Sequence, residues 1–263
     1  MKKILMTIGI LYILLCTVVF FFQQHLVFYA RGNMYIPPKE IDEVYFQTED
    51  GIKLHGWYYE KNPKYKTVIF SHGNGSNLDE GMMPTFERIK NLNVNILFYT
   101  YRGFGKSEGE IPKNQKEFYQ DAEAAWKYIT KEKDIPEENI ILWGRSIGCA
   151  ASLKIAKEKN VAGIILEAPF YSANEIGKKV YWFLPITLLS KFELPNYEYI
   201  KNINSPLIIL HSGADAVVPF KEGKKLFEEA PEPKKFVEIS GNHVDGIYDE
   251  KYISEIKKFL KTL

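Results

Sequence analysis

The stretch Ile140-Ile-Leu-Trp-Gly-Arg-Ser146-Ile-Gly-Cys-Ala-Ala-Ser-Leu-Lys154 decides how this chain is read. Four apolar residues of strand character run into Gly144-Arg-Ser146-Ile-Gly148, and a small-residue segment of helical character leaves it. A serine between a strand and a helix, with glycine two positions away on each side, is the pattern of a nucleophile elbow. The turn is too tight for Cβ atoms at the flanking positions, so its serine is lifted out above the strand ends.

The same G-x-S-x-G spacing recurs as Gly105-Lys-Ser107-Glu-Gly109. There the serine runs into Glu110-Ile-Pro112-Lys-Asn, which punctuates a loop and opens no helix, so Ser107 reads as a loop residue and Ser146 as the nucleophile. The Gly105-Lys106-Ser107 triplet is not a phosphate loop, because Thr100 stands where that loop needs its first glycine. The clusters Gly73-Asn-Gly75 and Gly103-Phe-Gly105 fail the dinucleotide fingerprint, with Leu78 and Glu108 in the third glycine's place.

Outward from the elbow, apolar runs of strand length alternate with stretches of helical period. Val44 to Phe46 and Leu54 to Tyr59, around Asp50-Gly51, read as an antiparallel opening pair. Thr67-Val-Ile-Phe-Ser71, Asn95-Ile-Leu-Phe-Tyr99, Ile140-Ile-Leu-Trp143, Gly163-Ile-Ile-Leu166 and Leu207-Ile-Ile-Leu210 are short runs of the kind a buried parallel sheet requires, and Phe236-Val-Glu-Ile239 follows them. Helices are expected over 79–92, 115–130, 147–159, 221–230 and 248–263. This alternation predicts an α/β fold: a mostly parallel, doubly wound sheet with its chemistry at the carboxyl ends of the strands.

A serine hydroxyl needs a base, and the base needs a carboxylate. Of the histidines His25, His55, His72, His211 and His243, the last sits in Ser240-Gly-Asn-His-Val-Asp245, between a strand and the final helix, where a loop can hold it over Ser146. Asp215, in a tight loop just past a buried strand, is the favoured acid and completes the chain order Ser, Asp, His. Glu167 is the reserve and Asp245 a poorer candidate. Asp121 is expected in the first turn of a helix, offsetting its dipole. The oxyanion formed in acyl transfer needs two preorganised donors. These are assigned to the backbone of Ile147 and, in the glycine-containing loop Ser71-His-Gly-Asn-Gly75, to Asn74.

At the amino end, Met1-Lys2-Lys3 precedes an uncharged run over 4–22, about 28 Å as a helix, close to a bilayer's hydrocarbon thickness. No small-residue cleavage site follows it, so it reads as a retained transmembrane anchor (1–24) rather than a cleaved signal. A linker (25–40) and a catalytic domain (41–263) come next. The flanking lysines favour a single-pass protein with its body outside the cytoplasmic membrane. Within the domain, 170–205 reads as a small helical cap. Its stretch Val180-Tyr-Trp-Phe-Leu-Pro-Ile-Thr-Leu-Leu-Ser-Lys-Phe192, flanked by Lys178 and Lys179, either packs over the sheet edge or meets lipid or an acyl chain.

Composition narrows the function classes. The 263 residues are 46% hydrophobic and carry 34 basic against 33 acidic side chains, enough for a full core and without the field that gathers nucleic acid. With Cys16 in the apolar run and Cys149 as the other cysteine, neither a disulfide framework nor a cysteine zinc site is expected. No cofactor or metal is called for, and the expected form is a monomer.

Taken together, Gly144-Arg-Ser146-Ile-Gly148, His72-Gly-Asn74, Asp215 and His243 resemble the α/β-hydrolase superfamily in its serine-aminopeptidase-like group. Thr48-Glu-Asp-Gly51-Ile-Lys-Leu-His-Gly-Trp57, Tyr101-Arg-Gly-Phe-Gly105-Lys-Ser-Glu-Gly109 and the N-terminal run look like its membrane-bound subgroup, which includes animal protein-depalmitoylating thioesterases. Asn242 departs from that pattern, where glycine is common. The resemblance implies a serine hydrolase acting on a lipid-like or small acyl substrate. A peptidase and a catalytically silent, membrane-tethered binding module are the competing readings.

Overall fold

The structure, a computed structural model, describes residues 1–30, 36–75, 77–78 and 82–263. Eight strands form one sheet: β1 (Asp42–Gln47), β2 (Lys53–Tyr59), β3 (Lys66–Ser71), β4 (Val94–Tyr99), β5 (Ile140–Arg145), β6 (Gly163–Glu167), β7 (Leu207–Ser212) and β8 (Lys234–Ile239). Their spatial order is β1-β2-β4-β3-β5-β6-β7-β8. The first two pairings, β1 with β2 and β2 with β4, are antiparallel, and the remaining five are parallel. This is the α/β-hydrolase fold.

The helices are α1 (Lys2–Phe22), α2 (Gln24–Val27), α3 (Met83–Ile89), α4 (Gln115–Lys127), α5 (Gly148–Ala156), α6 (Ala173–Val180), α7 (Ile186–Leu189), α8 (Asn196–Tyr199), α9 (Phe220–Glu229) and α10 (Glu250–Leu260). Because successive strand residues face opposite ways, the apolar runs feed two cores. Ile69, Leu97, Leu142, Leu166 and Ile209 pack with side chains of α4, α5 and α9. Phe70, Phe98, Trp143, Ile165 and Ile208 pack with those of α3 and α10 on the other face. The cap expected at 170–205 contains α6, α7 and α8.

Helix α3 starts later than the pattern suggested. Pro84 lies in its first turn; it has no N–H to give, and inside a helix its ring would clash with the carbonyl four positions earlier, so a helix running through it from position 79 is disfavoured. Residues 79–81 themselves lie outside the described residues, as do 31–35 of the expected linker. Asp121 is also not where its sequence context suggested. Asn114 caps α4, accepting from the Glu117 N–H, and Glu117 fills the first turn. Asp121 lies deeper in the helix, fully buried, and accepts Arg102 N–H and Nε at 2.9 and 2.8 Å. Burial pushes its carboxyl up to about 7 against the pull of that guanidinium. Its work is to hold the β4–α4 loop, not to offset a dipole.

Helix α1 is long and apolar enough to cross a membrane, and none of it is buried within the chain. The residues just after it do not hang free. Phe28 is buried and meets the rings of Phe104, Phe118 and Phe192 at 5.4 to 6.3 Å.

Candidate active site

The central strand β5 ends against β3 on one side and β6 on the other, with Gly144 level with Ser71 and Arg145 level with Glu167. Directly past that edge the backbone of Ser146 turns into the left-handed region, at φ +52°. An L-residue there costs about 1–2 kcal/mol. Neighbours impose the bend: the Ser146 N–H donates to the Glu167 carbonyl at 2.8 Å, and the Cys149 N–H to the Ser146 carbonyl at 3.0 Å. The flanking glycines are obligatory. A Cβ on Gly144 would lie 2.6 Å from Cys149 Cα, and one on Gly148 would lie 2.0 Å from the Ser71 carbonyl oxygen. Helix α5 can follow so closely because Cys149, Ala150 and Ala151 are small and fully buried.

Two other strand ends bring the partners. The loop after β7 carries Asp215 and the loop after β8 carries His243. His243 Nε2 lies 3.1 Å from Ser146 Oγ, and His243 Nδ1 lies 2.7 Å from Asp215 Oδ2. The Asp215 side chain is fully buried and that of His243 nearly so. Burial alone would raise the Asp215 carboxyl. It is instead held well below the usual carboxylate range by the imidazoles of His211 and His243, the His243 charge and the backbone. Oδ1 accepts the N–H groups of Val217 and Val218, each at 2.8 Å. The carboxylate is thus fixed as an anion aimed at His243, which suits it to stabilise an imidazolium.

The donor side lies between β3 and α5. Among the described residues, the backbone N–H groups of Ile147 and Asn74 have no protein acceptor, and both residues line the cleft beside Ser146. Asn74 Oδ1 accepts the Tyr29 N–H at 2.7 Å, which ties this loop to the segment following α2. Beneath the loop, His72 is buried on Tyr101, with ring centroids 4.4 Å apart, and its Nδ1 lies 2.7 Å from the Gly73 carbonyl.

The other candidates are structural. Glu167 Oε1 accepts from Trp143 Nε1 and Tyr252 Oη, each at 2.5 Å, and its Oε2 from Arg145 Nε at 2.6 Å. It neutralises a buried guanidinium behind the elbow, and both its oxygens are taken by these partners. Asp245 begins the short turn Asp245–Tyr248, while the nitrogen of His243 that it would need is occupied by Asp215. Ser107 is buried, accepts the His55 N–H at 2.9 Å and pairs with Thr100 Oγ1 at 2.8 Å. It sutures the β4 loop to β2 and has no open face.

Sequence reading missed two supports. His211 is fully buried behind the acid, with Nε2 3.0 Å from the Val218 carbonyl and 3.4 Å from Asp215 Oδ2. Its place four positions before Asp215 was visible, but not that the loop doubles back over it. Asn242, read only as a departure, uses one oxygen to accept both the His243 N–H at 2.8 Å and the Ala216 N–H at 3.1 Å.

Above Ser146 lies a cleft of about 260 Å³. Its walls come from α6 (Ile176, Val180), the acid loop (Val217, Val218) and, unexpectedly, Leu26 and Val27 of α2. Among the described residues, none that lines it carries a charge.

The family model for serine aminopeptidase S33 matches residues 62–197. The uncharacterized protein YfhR of Salmonella typhimurium is 30% identical over 261 residues, covering 89% of this chain and 87% of that one. Human alpha/beta hydrolase domain-containing protein 17B is 34% identical over 207 residues, covering 76% and 67%. Among solved structures, the Pyrococcus furiosus esterase Pf2001 superposes with a TM-score of 0.72 at 22% identity, covering 89% of this chain and 98% of its own, a likeness of fold. On this match and these relatives, the chain belongs to the α/β-hydrolase superfamily, in its serine aminopeptidase S33 family.

Proposed function

We propose that the protein is a membrane-anchored serine hydrolase that cleaves ester or thioester bonds of substrates with a hydrophobic acyl chain. The observation that carries this reading is the unbroken relay from Ser146 Oγ through His243 to Asp215, at 3.1 and 2.7 Å, on the floor of an uncharged apolar cleft.

Ser146 Oγ adds to the substrate carbonyl carbon while His243 Nε2 takes its proton, and Asp215 stabilises the resulting imidazolium. The oxyanion sits against the N–H groups of Ile147 and Asn74, each worth about 3 kcal/mol to the transition state. Collapse expels the alkoxide or thiolate, which takes the proton from His243, and leaves the acyl chain on Ser146. Water, deprotonated by His243, then releases the carboxylic acid and restores the serine. Apolar walls suit the acyl chain, and among the described lining residues there is no carboxylate to pair with a peptide's free ammonium.

A fluorophosphonate probe tests the nucleophile: labelling is expected to vanish in Ser146→Ala and to persist in Ser107→Ala. Substrate class is tested with full-length protein in detergent on acyl nitrophenyl esters, acyl thioesters and aminoacyl arylamides. Cleavage of the arylamides alone would replace this reading with a peptidase.

A further inference from the structure

Residues 180–190 of the cap carry no charge, and Lys178, Lys179 and Lys191 bracket them. An apolar segment of this length is too short to span a bilayer and is normally a core helix, an interfacial segment or a re-entrant one. This one is not core: Trp182 and Leu188 are each 81% exposed, and Val180 and Phe183 are exposed beside them. It also does not stand alone. Tyr12 Oη, within α1, donates to the Phe183 carbonyl at 2.8 Å, and Gln23 Nε2, just past α1, donates to the Leu189 carbonyl at 2.9 Å. The Lys191 N–H donates back to Gln23 Oε1 at 2.7 Å, and Lys191 Nζ lies 4.2 Å from the centre of the Phe20 ring. The hairpin therefore runs along α1 from its carboxyl end to Tyr12. That distance is about 16 Å of helix, roughly half of a hydrocarbon core of ~30 Å.

We infer that the hairpin 180–190 is a second membrane-seated element, embedded beside α1 in the leaflet that faces the catalytic body. The inference rests on the reading of α1 as a bilayer anchor. Most of its backbone suits a medium without water, the N–H groups of Trp182, Phe183 and Thr187 being those left without a protein acceptor among the described residues. The N–H groups of Tyr181, Leu184, Ile186, Leu188, Leu189 and Ser190 all reach carbonyls within the hairpin or α6, and two of its carbonyls are taken by the Tyr12 and Gln23 side chains. The bracketing lysines can keep their amines at headgroup level while their stems lie along apolar surface. Val180 and Tyr181 also line the cleft above Ser146. The mouth of the site is thereby held at the bilayer surface, and an acyl chain enters it from lipid without crossing water.

Trp182 provides the test, because the other three tryptophans, Trp57, Trp126 and Trp143, are buried. The full chain is placed in phosphatidylcholine–phosphatidylglycerol vesicles, and its emission is measured against Trp182→Phe with lipids brominated along the acyl chain and with aqueous iodide. Brominated chains are expected to remove about half or more of the Trp182 share of the emission, with iodide quenching largely lost. If the chain floats with the vesicles while Trp182 stays open to iodide and blind to bromine, the hairpin lies in water; the inference falls and the anchor stands. If the chain does not float with vesicles, the anchor reading falls and takes the inference with it.

Discussion

Asn242 Oδ1 accepts the N–H of Ala216 at 3.1 Å, and through this oxygen the loop that carries His243 is fastened to the loop that carries Asp215. The same oxygen accepts the N–H of His243. The imidazole is thus located by its backbone as well as by its bond to Asp215. Asn242→Gly is expected to lower kcat about tenfold with KM nearly unchanged, since a loosened base is felt mainly in the transition state. Steady-state kinetics on a short nitrophenyl ester, with thermal unfolding as a control, measure it. A change confined to KM would remove the positioning role.

Asp215→Asn is expected to keep the fold and lose about 10⁴ in kcat. Val217 and Val218 both donate to Oδ1, so the amide must keep its oxygen there and turn its NH₂ toward His243 Nδ1. That presentation selects the wrong tautomer. Unchanged unfolding temperature with collapsed turnover is the signature to look for.

Glu167→Gln separates the reserve acid from the chosen one. Removing the charge leaves the buried Arg145 without its counter-ion, a loss of about 3–5 kcal/mol in stability. The Glu167 carbonyl that holds the Ser146 N–H is untouched. Folded protein is expected to react with fluorophosphonate near the normal rate while denaturant midpoints fall sharply.

The left-handed backbone at Ser146 makes its own prediction. Ser146→Ala keeps the strain and Ser146→Gly relieves it, so the glycine variant is expected to be about 1 kcal/mol more stable than the alanine variant, with both inactive. Chemical denaturation of the two variants side by side decides it.

Burial holds the His72 imidazole down at about 4, opposed by its bond to Gly73 and reinforced by Arg145. In the unfolded chain it protonates near ~6.5. Between these values the unfolded state binds more protons, so this group's contribution to stability is present above ~6.5 and is lost as the pH falls toward 4, by about 3 kcal/mol in all. His72→Gln is expected to flatten the stability profile over that window. Unfolding in detergent from pH 4 to 7.5, compared with the unsubstituted chain, reads out the difference.

Features that live within one stretch of chain were legible in the sequence. Neighbours such as Ile69 and Phe70 announce a strand buried on both faces, and Gly144 and Gly148 announce a bend that excludes Cβ atoms. Ser146, Asp215 and His243 could be nominated because each sits where a strand ends. What remained hidden depends on meetings between distant segments. Asp121 looks like any acidic residue of a helix until Arg102 arrives against it. Phe28 is one aromatic residue among many until Phe104, Phe118 and Phe192 close around it. Asn242 looked like a lapse from pattern because its partner at Ala216 is set by how two loops lie side by side, which local spacing does not encode. The late start of α3, by contrast, was written in Pro84 and could have been read.

The burial of Phe28 bears on how this enzyme can be handled. Cutting the chain after Ala30 would strip Leu26 and Val27 from the wall of the cleft above Ser146, free the loop at Asn74 and open a hole lined by three phenyl rings. A truncation that removes α1 has to fall upstream, between Phe22 and Gln23, so that the masonry around Ser146 stays whole; the apolar hairpin 180–190 stays with it and still calls for detergent.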